Sequence, residues 1–319
     1  MPKTARPSFF ARAGRSILRW FDNGDPEAPD SYPGPKKVEW IRNLPYFGMH
    51  AACLLVIWVG ISWTAVTVAV ALYYFRMFAI TGFYHRYFSH KTFKTSRAFQ
   101  FVMGICGLTA IQRGPLWWAA HHRHHHVHSD EHPDLHSPKQ HGMLWAHMFW
   151  FTTDSVFATN HKNVRDLSKF PEIKFINRHE MIVYVAFAVA IYGLGWLLYS
   201  LGLGDSAMQI FVWGFFISTV FNYHAVYTIN SLSHKFGRQR YKTADTSRNN
   251  IWLAFLTLGE GWHNNHHHYP SSTRQGFYWW EIDITYYVLK VMSWTGLIWG
   301  LRGVPDKKLH ADLITPNSA

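Results

Sequence analysis

The sequence predicts an all-α integral membrane protein with four transmembrane helices and a cytoplasmic helical cap around a histidine-rich site. Three observations carry this. Apolar stretches long enough to cross a bilayer recur along the chain. The Lys- and Arg-rich segments all fall on one side of them. Histidine, at 22 of 319 residues, concentrates in clusters at the ends of those stretches.

Taken in order, residues 9–21 place Phe10, Ala13, Ile17, Trp20 and Phe21 at helical spacing with Arg12, Arg15 and Arg19 between them. This pattern predicts a basic amphipathic helix on an anionic membrane surface; a disordered basic arm is the competing reading. The Pro/Gly/Asp-rich run 23–37 reads as a linker, so residues 1–39 form an N-terminal segment. Residues 47–84 are almost wholly apolar. At about 20 residues per crossing they make two antiparallel spans, 47–62 and 64–84, with a tight turn near Gly60–Trp63. Residues 181–203 and 207–229 make a third and a fourth, joined by a short turn. Trp63 and Trp196 are expected near membrane interfaces. The apolar segment 97–120 holds Arg113 and Pro115 and reads as one buried or interfacial helix rather than a crossing. The membrane domain thus covers 40–305, and 306–319 is a C-terminal tail.

Segment 85–180 and the chain after 234 are rich in Lys and Arg, whereas the turn at 204–206 has none. The positive-inside rule places both termini and the long loop in the cytoplasm, with every dense histidine cluster on that side. The formal charge of +12 suggests an anionic partner. Four apolar spans argue against a nucleic-acid binder. Cys53 and Cys106 give neither a disulfide framework nor a CxxC zinc motif. No secretory signal is expected.

The string "HHRHHH" opens at His121. A helix turns by about 100° per residue. His125 and His126 then fall near −60° and +40° from His122, on one face, so H-x-x-H-H forms a helical metal triad. His124 lies opposite and His121 is displaced, which makes both bystanders. The pattern recurs in "HNNHH", where His263, His266 and His267 share a face. "HRYFSH" adds His85 and His90 just past the second span; "NSLSH" adds Asn230 and His234 at i, i+4 just past the fourth. Nine histidines at one site imply two metals, since one metal takes four to six ligands. Neutral imidazole suits Fe, Zn, Cu and Ni, and a closed structural zinc site needs only four ligands. The paired Glu-x-x-His motifs of soluble di-iron bundles are lacking, as is HExxH. Asp130, Asp134 and Glu260 are candidate acceptors behind the imidazoles.

With these residues assembled, the chain resembles the membrane-bound fatty-acid desaturases, in their acyl-CoA (stearoyl-CoA-type, Δ9) branch. The family boxes H-x4-H, H-x2-H-H, N-x3-H and H-x2-H-H appear in order as "HRYFSH", "HRHHH", "NSLSH" and "HNNHH", over roughly 40–300. The resemblance implies two iron ions held by His85, His90, His122, His125, His126, His234, His263, His266 and His267. It also implies a water held by Asn230 that completes one iron's shell, and a kinked tunnel for the acyl chain. Two departures stand out: His121 occupies a position often aspartate, and the downstream acidic string reads "PDLH" at Pro133–His136. No His-Pro-Gly-Gly string of a fused cytochrome b5 domain is present.

The implied reaction is O2-dependent insertion of a cis double bond, at Δ9, into a saturated acyl chain on CoA, another anionic carrier or a lipid. Electrons come from a separate ferredoxin-, rubredoxin- or cytochrome b5-like donor with its reductase. The iron–oxygen chemistry belongs to the cofactor; the protein supplies position. Trp117 and Trp118, one turn before the second box, are candidate tunnel walls, with ordinary helix packing as the alternative. A membrane hydroxylase or alkane-type monooxygenase shares such sites, but the box order and the Asn230/His234 pair favour desaturation. A metal carrier would place its ligands inside the spans, not past their ends. The protein is expected to be multi-pass in a bacterial inner membrane, with an endoplasmic-reticulum-like membrane as the alternative.

Overall fold

The computed structural model describes residues 8–24 and 37–314. Most of the expected linker 23–37 and the last residues of the expected tail lie outside them. Helix α1, Phe9–Phe21, has the predicted amphipathic character. Trp20 Nε1 donates to Arg42 O (3.1 Å), and Asp22 pairs with Arg178 (2.6 Å). These contacts fix α1 against the body. Helix α2, Leu44–Val59, follows, with a 3-10 turn at Cys53–Leu55. At 1.5 Å per residue it is about 25 Å long, short of a full crossing, where 47–62 had been expected as a span. Gly60 then turns the chain at φ +68°, a conformation costly for a residue with a Cβ. The Ser62 side chain caps the next helix by accepting from Ala65 N (3.2 Å).

Helix α3, Trp63–Ser89, is long and apolar enough to cross a membrane. It does not stop at the expected boundary near residue 84. From Ala79 to Ser89 it continues as a π-helix and carries His85 inside the helix rather than beyond its end. Segment 97–120 is two helices, not one: α4, Arg97–Leu108, and α5, Pro115–His128. The break is local. Ile111 and Arg113 adopt positive φ, and Pro115 starts a helix well but continues one badly. Asn177 Oδ1 accepts from Leu116 N and Trp117 N, both at 3.0 Å. This satisfies the bare amides at the start of α5.

Helix α6, Pro171–Arg178, leads into α7, Glu180–Ser200, and α8, Ala207–His234. The last two are long enough to span. Only 11% of the apolar window of α7 is buried, against 50% in α3 and 56% in α8; α7 is therefore the least buried of the three. Between α3 and α8, fully buried Arg76 donates to Ser218, Thr219 and Gly214 O, so its charge is solvated by the neighbouring helix. Short helices α9, Ile251–Leu256, α10, His263–His268, and α11, Ile284–Trp294, complete the polar layer. A two-stranded antiparallel ladder, Lys94–Thr95 on Ile298–Trp299, ties its edges together. The segment 306–314 packs back on it: Lys242 N donates to Asp312 O and Ile314 N to Arg240 O, both 2.8 Å.

The main core holds Phe83, Tyr84, Phe88, Met103, Leu116 and Ile173 at the junction of α3, α4, α5 and α6. Gly107 lets α4 approach α3: a Cβ there would lie 1.9 Å from the Tyr84 ring. This junction fixes α3 and α5 side by side, which sets the geometry of the site.

Candidate metal centre

The nine histidines singled out above come together, in two groups. In one, ligand atoms of His85, His90, His122, His126 and His266 all lie within 4.8 Å of one another; in the other, those of His125, His234, His263 and His267 do. Each H-x-x-H-H string therefore does not serve one metal position, as the shared face had suggested. It straddles both. In α5 the i, i+4 pair His122/His126 joins the five-membered group and His125 the four-membered one. In α10 the pair His263/His267 joins the four-membered group and His266 the other. The cause is the helix itself. Residues four apart differ by about 40°, while the intervening histidine is about 60–100° from each. Two triads facing each other across a gap thus exchange their middle members.

His85 and His90 are a different case. In an α-helix, residues five apart diverge by about 140°. Here the π-turn closes an i→i+5 hydrogen bond, His90 N to His85 O at 3.2 Å, and the two rings stand 4.9 Å apart. Across the five-membered group, Nε2 atoms meet at 2.8 Å (His90–His122), 2.9 Å (His126–His266) and 3.0 Å (His85–His266). In the other group, His234 and His263 meet at 3.1 Å.

Carboxylates set which ring nitrogen faces inward. His125 Nδ1 donates to Asp134 (3.1 Å), His234 Nδ1 to Asp130 (3.2 Å), His267 Nδ1 to Asp245 (2.6 Å) and His85 Nδ1 to Glu260 (2.5 Å). A carboxylate only accepts, so Nδ1 carries the proton and the Nε2 lone pair is left toward the centre. His267 Nε2 is buried without a hydrogen-bond partner, as a ligand atom awaiting a cation would be. Burial, reinforced by neighbouring imidazoles, holds His90, His122, His126, His263 and His266 well below the usual histidine pKa. Neutral imidazole is the ligating form. The donor set therefore fits two transition-metal ions.

Three of these four acceptors, Asp130, Asp134 and Glu260, were visible in the sequence as candidates. Asp245 was not. It lies in "ADTS", 22 residues before His267, and no local periodicity connects it to a helix face. Buried Arg86, which pairs with both Glu260 and Asp283, was missed for the same reason. The expected bystanders remain outside both groups. His121 Nδ1 donates to Trp117 O (2.8 Å), and His124 Nε2 to Pro133 O (3.1 Å). His136, part of "PDLH", lies beside His125, with ring centroids 4.3 Å apart and planes tilted by 51°.

Among the described residues, three cavities border the histidines, one of them, about 370 Å³, lined by polar residues such as His126, Lys242, Asp245 and His267. A second, of about 40 Å³, lies between the groups and is lined by His85, His122, His125, His263, Asn230 and Trp118, among others. A third, about 320 Å³, runs past Trp117, Trp118 and His122; most of its lining residues are apolar, many of them from α2, α7 and α8. The last two share Trp118, His122, Val226 and Asn230.

Fold and site together define a helical membrane protein with two metal-competent histidine groups at one end of its long apolar helices. Residues 61–293 match the fatty acid desaturase family. The chain is 35% identical over 278 residues to an sn-1 stearoyl-lipid 9-desaturase of Anabaena variabilis, covering 85% of this chain and 96% of that one. It is 35% identical to an acyl-CoA 5-desaturase of Anemone leveillei, covering 82% of each chain. It is 34% identical to the delta-9 acyl-lipid desaturase 1 of Arabidopsis thaliana, covering 82% and 83%. The chain belongs to the fatty acid desaturase family. It is a fatty-acyl desaturase, an oxidoreductase of lipid metabolism, and the hydroxylase alternative is not favoured.

Proposed function

We propose that the protein is a di-iron, O2-dependent desaturase that places a cis double bond at Δ9 of a saturated acyl chain. The observation that carries this is the pair of cavities sharing Trp118, His122 and Asn230: the larger, mostly apolar one reaches His122, and the smaller one is lined by members of both histidine groups. In this reading His85, His90, His122, His126 and His266 hold one iron. His125, His234, His263 and His267 hold the other, with a water on Asn230. The 40 Å³ beside Asn230 is ample for such a water, which needs about 10–15 Å³ of this measure.

When bound, the two irons supply the activated oxygen needed to remove hydrogen from an unactivated methylene pair. The protein's own residues do the rest. Asp130, Asp134, Asp245 and Glu260 keep the Nδ1 protons in place and so orient the rings. Trp117 and Trp118 wall the channel, and Trp118 stacks on His122 (5.0 Å, 22°). Neighbouring CH2 groups are chemically alike, so this wall selects which pair faces the centre. Burial of the site excludes water and competing reactions.

The finer features follow from the same reading. α2 together with α3, α7 and α8 makes four spans, with α2 completed by its flanking residues. The Lys- and Arg-rich polar layer faces the cytoplasm, and its positive charge suits an acidic electron donor. The near full-length match to the Anabaena variabilis chain favours a bacterial membrane, and two of the relatives named above act, by their names, on acyl groups of lipids. The test is mass spectrometry of total fatty acids from a host without its own desaturase, expressing this chain or its His266→Ala variant. A new Δ9 cis monoene in the wild type alone is expected. A hydroxylated product, or a double bond elsewhere, would overturn the corresponding part.

A further inference from the structure

Three histidines outside both metal groups touch in a row. His50 lies on α2, His224 on α8 and His147 in the turn Trp145–Phe149. His50 Nε2 meets His224 Nε2 at 3.2 Å, and His224 Nδ1 meets His147 Nε2 at 3.0 Å. His224 thus turns a different nitrogen to each neighbour. The three rings do not converge on one point, as metal ligands must; they form a line. Its ends are fixed by oxygen atoms. His50 Nδ1 is 2.9 Å from Tyr46 O, and His147 Nδ1 is 3.0 Å from Ser231 Oγ, which itself donates to Tyr227 O (2.9 Å).

The protons on this line can be counted. A carbonyl oxygen only accepts, so His50 Nδ1 carries a hydrogen. Ser231 has given its one hydrogen to Tyr227 O and accepts as well, so His147 Nδ1 carries another. Each of the two N···N contacts needs one more. That is four hydrogens, and three neutral imidazoles bring three. The line is fully bonded only with one extra proton. Once neutral, it is bonded again only when Ser231 turns its hydroxyl to His147 Nδ1 and the two inner rings hold their hydrogen on Nε2. A proton that enters at His50 and leaves at Ser231 moves by such shifts, one short hop per contact.

The surroundings give the line a direction. His50, His147 and His224 are partly exposed, whereas Ser231 is 1% exposed. Asn230, the residue before Ser231, lines both cavities that meet at Trp118. The line therefore runs inward, to the wall of the histidine-lined site. The rings packed around it are Tyr46 and Tyr223 beside His50, at 4.6 and 6.3 Å between centroids, and Tyr227 beside His147 and His224, at 5.7 and 5.9 Å. Among the described residues no Asp, Glu, Lys or Arg pairs with any of the three histidines. A proton without a carboxylate to hold it is readily passed on.

We propose that His50, His224 and His147 form a proton relay to the site, with Ser231 as its inner end. The inference rests on the desaturase reading, because that reaction consumes protons. Two C–H bonds of neighbouring carbons break and one C=C bond forms. The O–O bond of O2 breaks. The two hydrogens taken from the chain, two electrons from the donor and two further protons convert both oxygen atoms to water. The chain is oxidised by two electrons, the donor by two, and O2 is reduced by four. The buried site must take up two protons for every double bond, and the relay is their path.

The test is a single turnover of the full-length, iron-loaded protein in nanodiscs of distearoyl phospholipid, with stearoyl-CoA added to the buffer. The protein is reduced with dithionite, excess reductant is removed, and O2 is mixed in. The rate of double-bond formation is read by rapid quench, with iron content measured on the same samples. His147→Ala, next to Ser231, should slow formation on the order of 100-fold with the iron content of the wild type. His224→Gln and His50→Gln, farther out, should slow it progressively less. 2-Methylimidazole, whose methyl group hinders metal ligation, should restore most of the His147→Ala rate and leave the wild type unchanged. A merely structural role predicts no such rescue. A wild-type rate in His147→Ala, or a slow rate that 2-methylimidazole does not restore, would overturn the relay. If His147→Ala loses iron, the ratio of His224→Gln rates in H2O and D2O decides: a ratio larger than that of the wild type supports the relay, and an equal one overturns it. Wild-type protein that forms no double bond counts against the desaturase reading itself, and the relay falls with it. Double bonds in the wild type with unaffected variants count against the relay alone.

Discussion

The five-histidine and four-histidine groups sit side by side and share no residue, yet they are built differently. In the first, among the described residues only His85 has an acid on its outer nitrogen. That acid, Glu260, is paired with Arg86 at 3.1 Å. In the second, His125, His234 and His267 each hold an aspartate. Among the described residues none of those three aspartates pairs with Lys or Arg; hydroxyls and backbone amides serve them instead, such as Ser137 for Asp130 (2.6 Å) and Ser247 N for Asp245 (2.9 Å). Burial opposes the charge on each. The partner histidines, with those hydrogen bonds, outweigh burial and hold all three well below the usual carboxylate range. A carboxylate behind an imidazole makes it a stronger donor. One group thus has more ligands, and the other has fewer ligands with more negative charge behind them.

This contrast can be broken outright. His125→Ala should abolish double-bond formation and lower the iron content by about one of two ions, whereas His124→Ala should keep most of both. Fatty-acid analysis and metal analysis on the same preparations read this out. An inactive but folded His124→Ala protein would contradict the division into ligands and bystanders. Next in size, Asp245→Asn should weaken one metal equivalent by about 10–100-fold. Glu260→Gln should weaken the other equivalent. Competition titrations of the metal-free protein with a chelator separate the two, and loss of the same equivalent in both variants would merge the groups.

Two smaller effects sharpen the five-histidine side. Trp118 lies against His122 and His85, so Trp118→Ala should spread the double bond over neighbouring carbons, seen by derivatisation of the products, with iron content near wild type. An unchanged single position would remove Trp118 from the channel wall. The smallest effect concerns Arg123, which donates to Phe88 O (2.7 Å) and Ser89 O (2.8 Å) just before His90 and pairs with Asp166. Burial raises the Asp166 pKa, but hydrogen bonds from Arg123 and Lys91 outweigh it and bring it from 3.8 to about 2. A folded pKa below the unfolded one stabilises the protein fully above pH of about 4, and that contribution disappears as the pH falls toward 2. In chemical denaturation of the metal-free protein, Asp166→Asn should therefore flatten part of the stability loss between those values. An identical acid profile would remove this pair from the account.

Much of this was already legible in the chain. Apolar length alone located α3, α7 and α8, because a bilayer demands about 20 apolar residues whatever packs around them. The hairpin at Gly60 and the basic amphipathic α1 followed from turn chemistry and 3.6-residue periodicity. The two H-x-x-H-H triads, and the exclusion of His121 and His124, followed from a rotation of about 100° per residue; His85, His90 and His234 followed from their places just past apolar stretches. These are properties of single elements, and a single element's properties are written in consecutive residues.

The remainder depended on contacts between elements. The division of each triad between two groups needed α5 and α10 to face each other. The juxtaposition of His85 and His90 needed a π-turn, which composition does not announce. The break at 109–114 was set by Asn177 from a distant helix as much as by Pro115. Asp245 and Arg86 reach the site only because distant segments were brought together. Helical periodicity and hydropathy act over a few turns of chain, so the sequence by itself determined which residues would gather. The pairing of imidazole with carboxylate, and of cavity with histidine, is decided by packing across the whole molecule, and that only the tertiary structure decided.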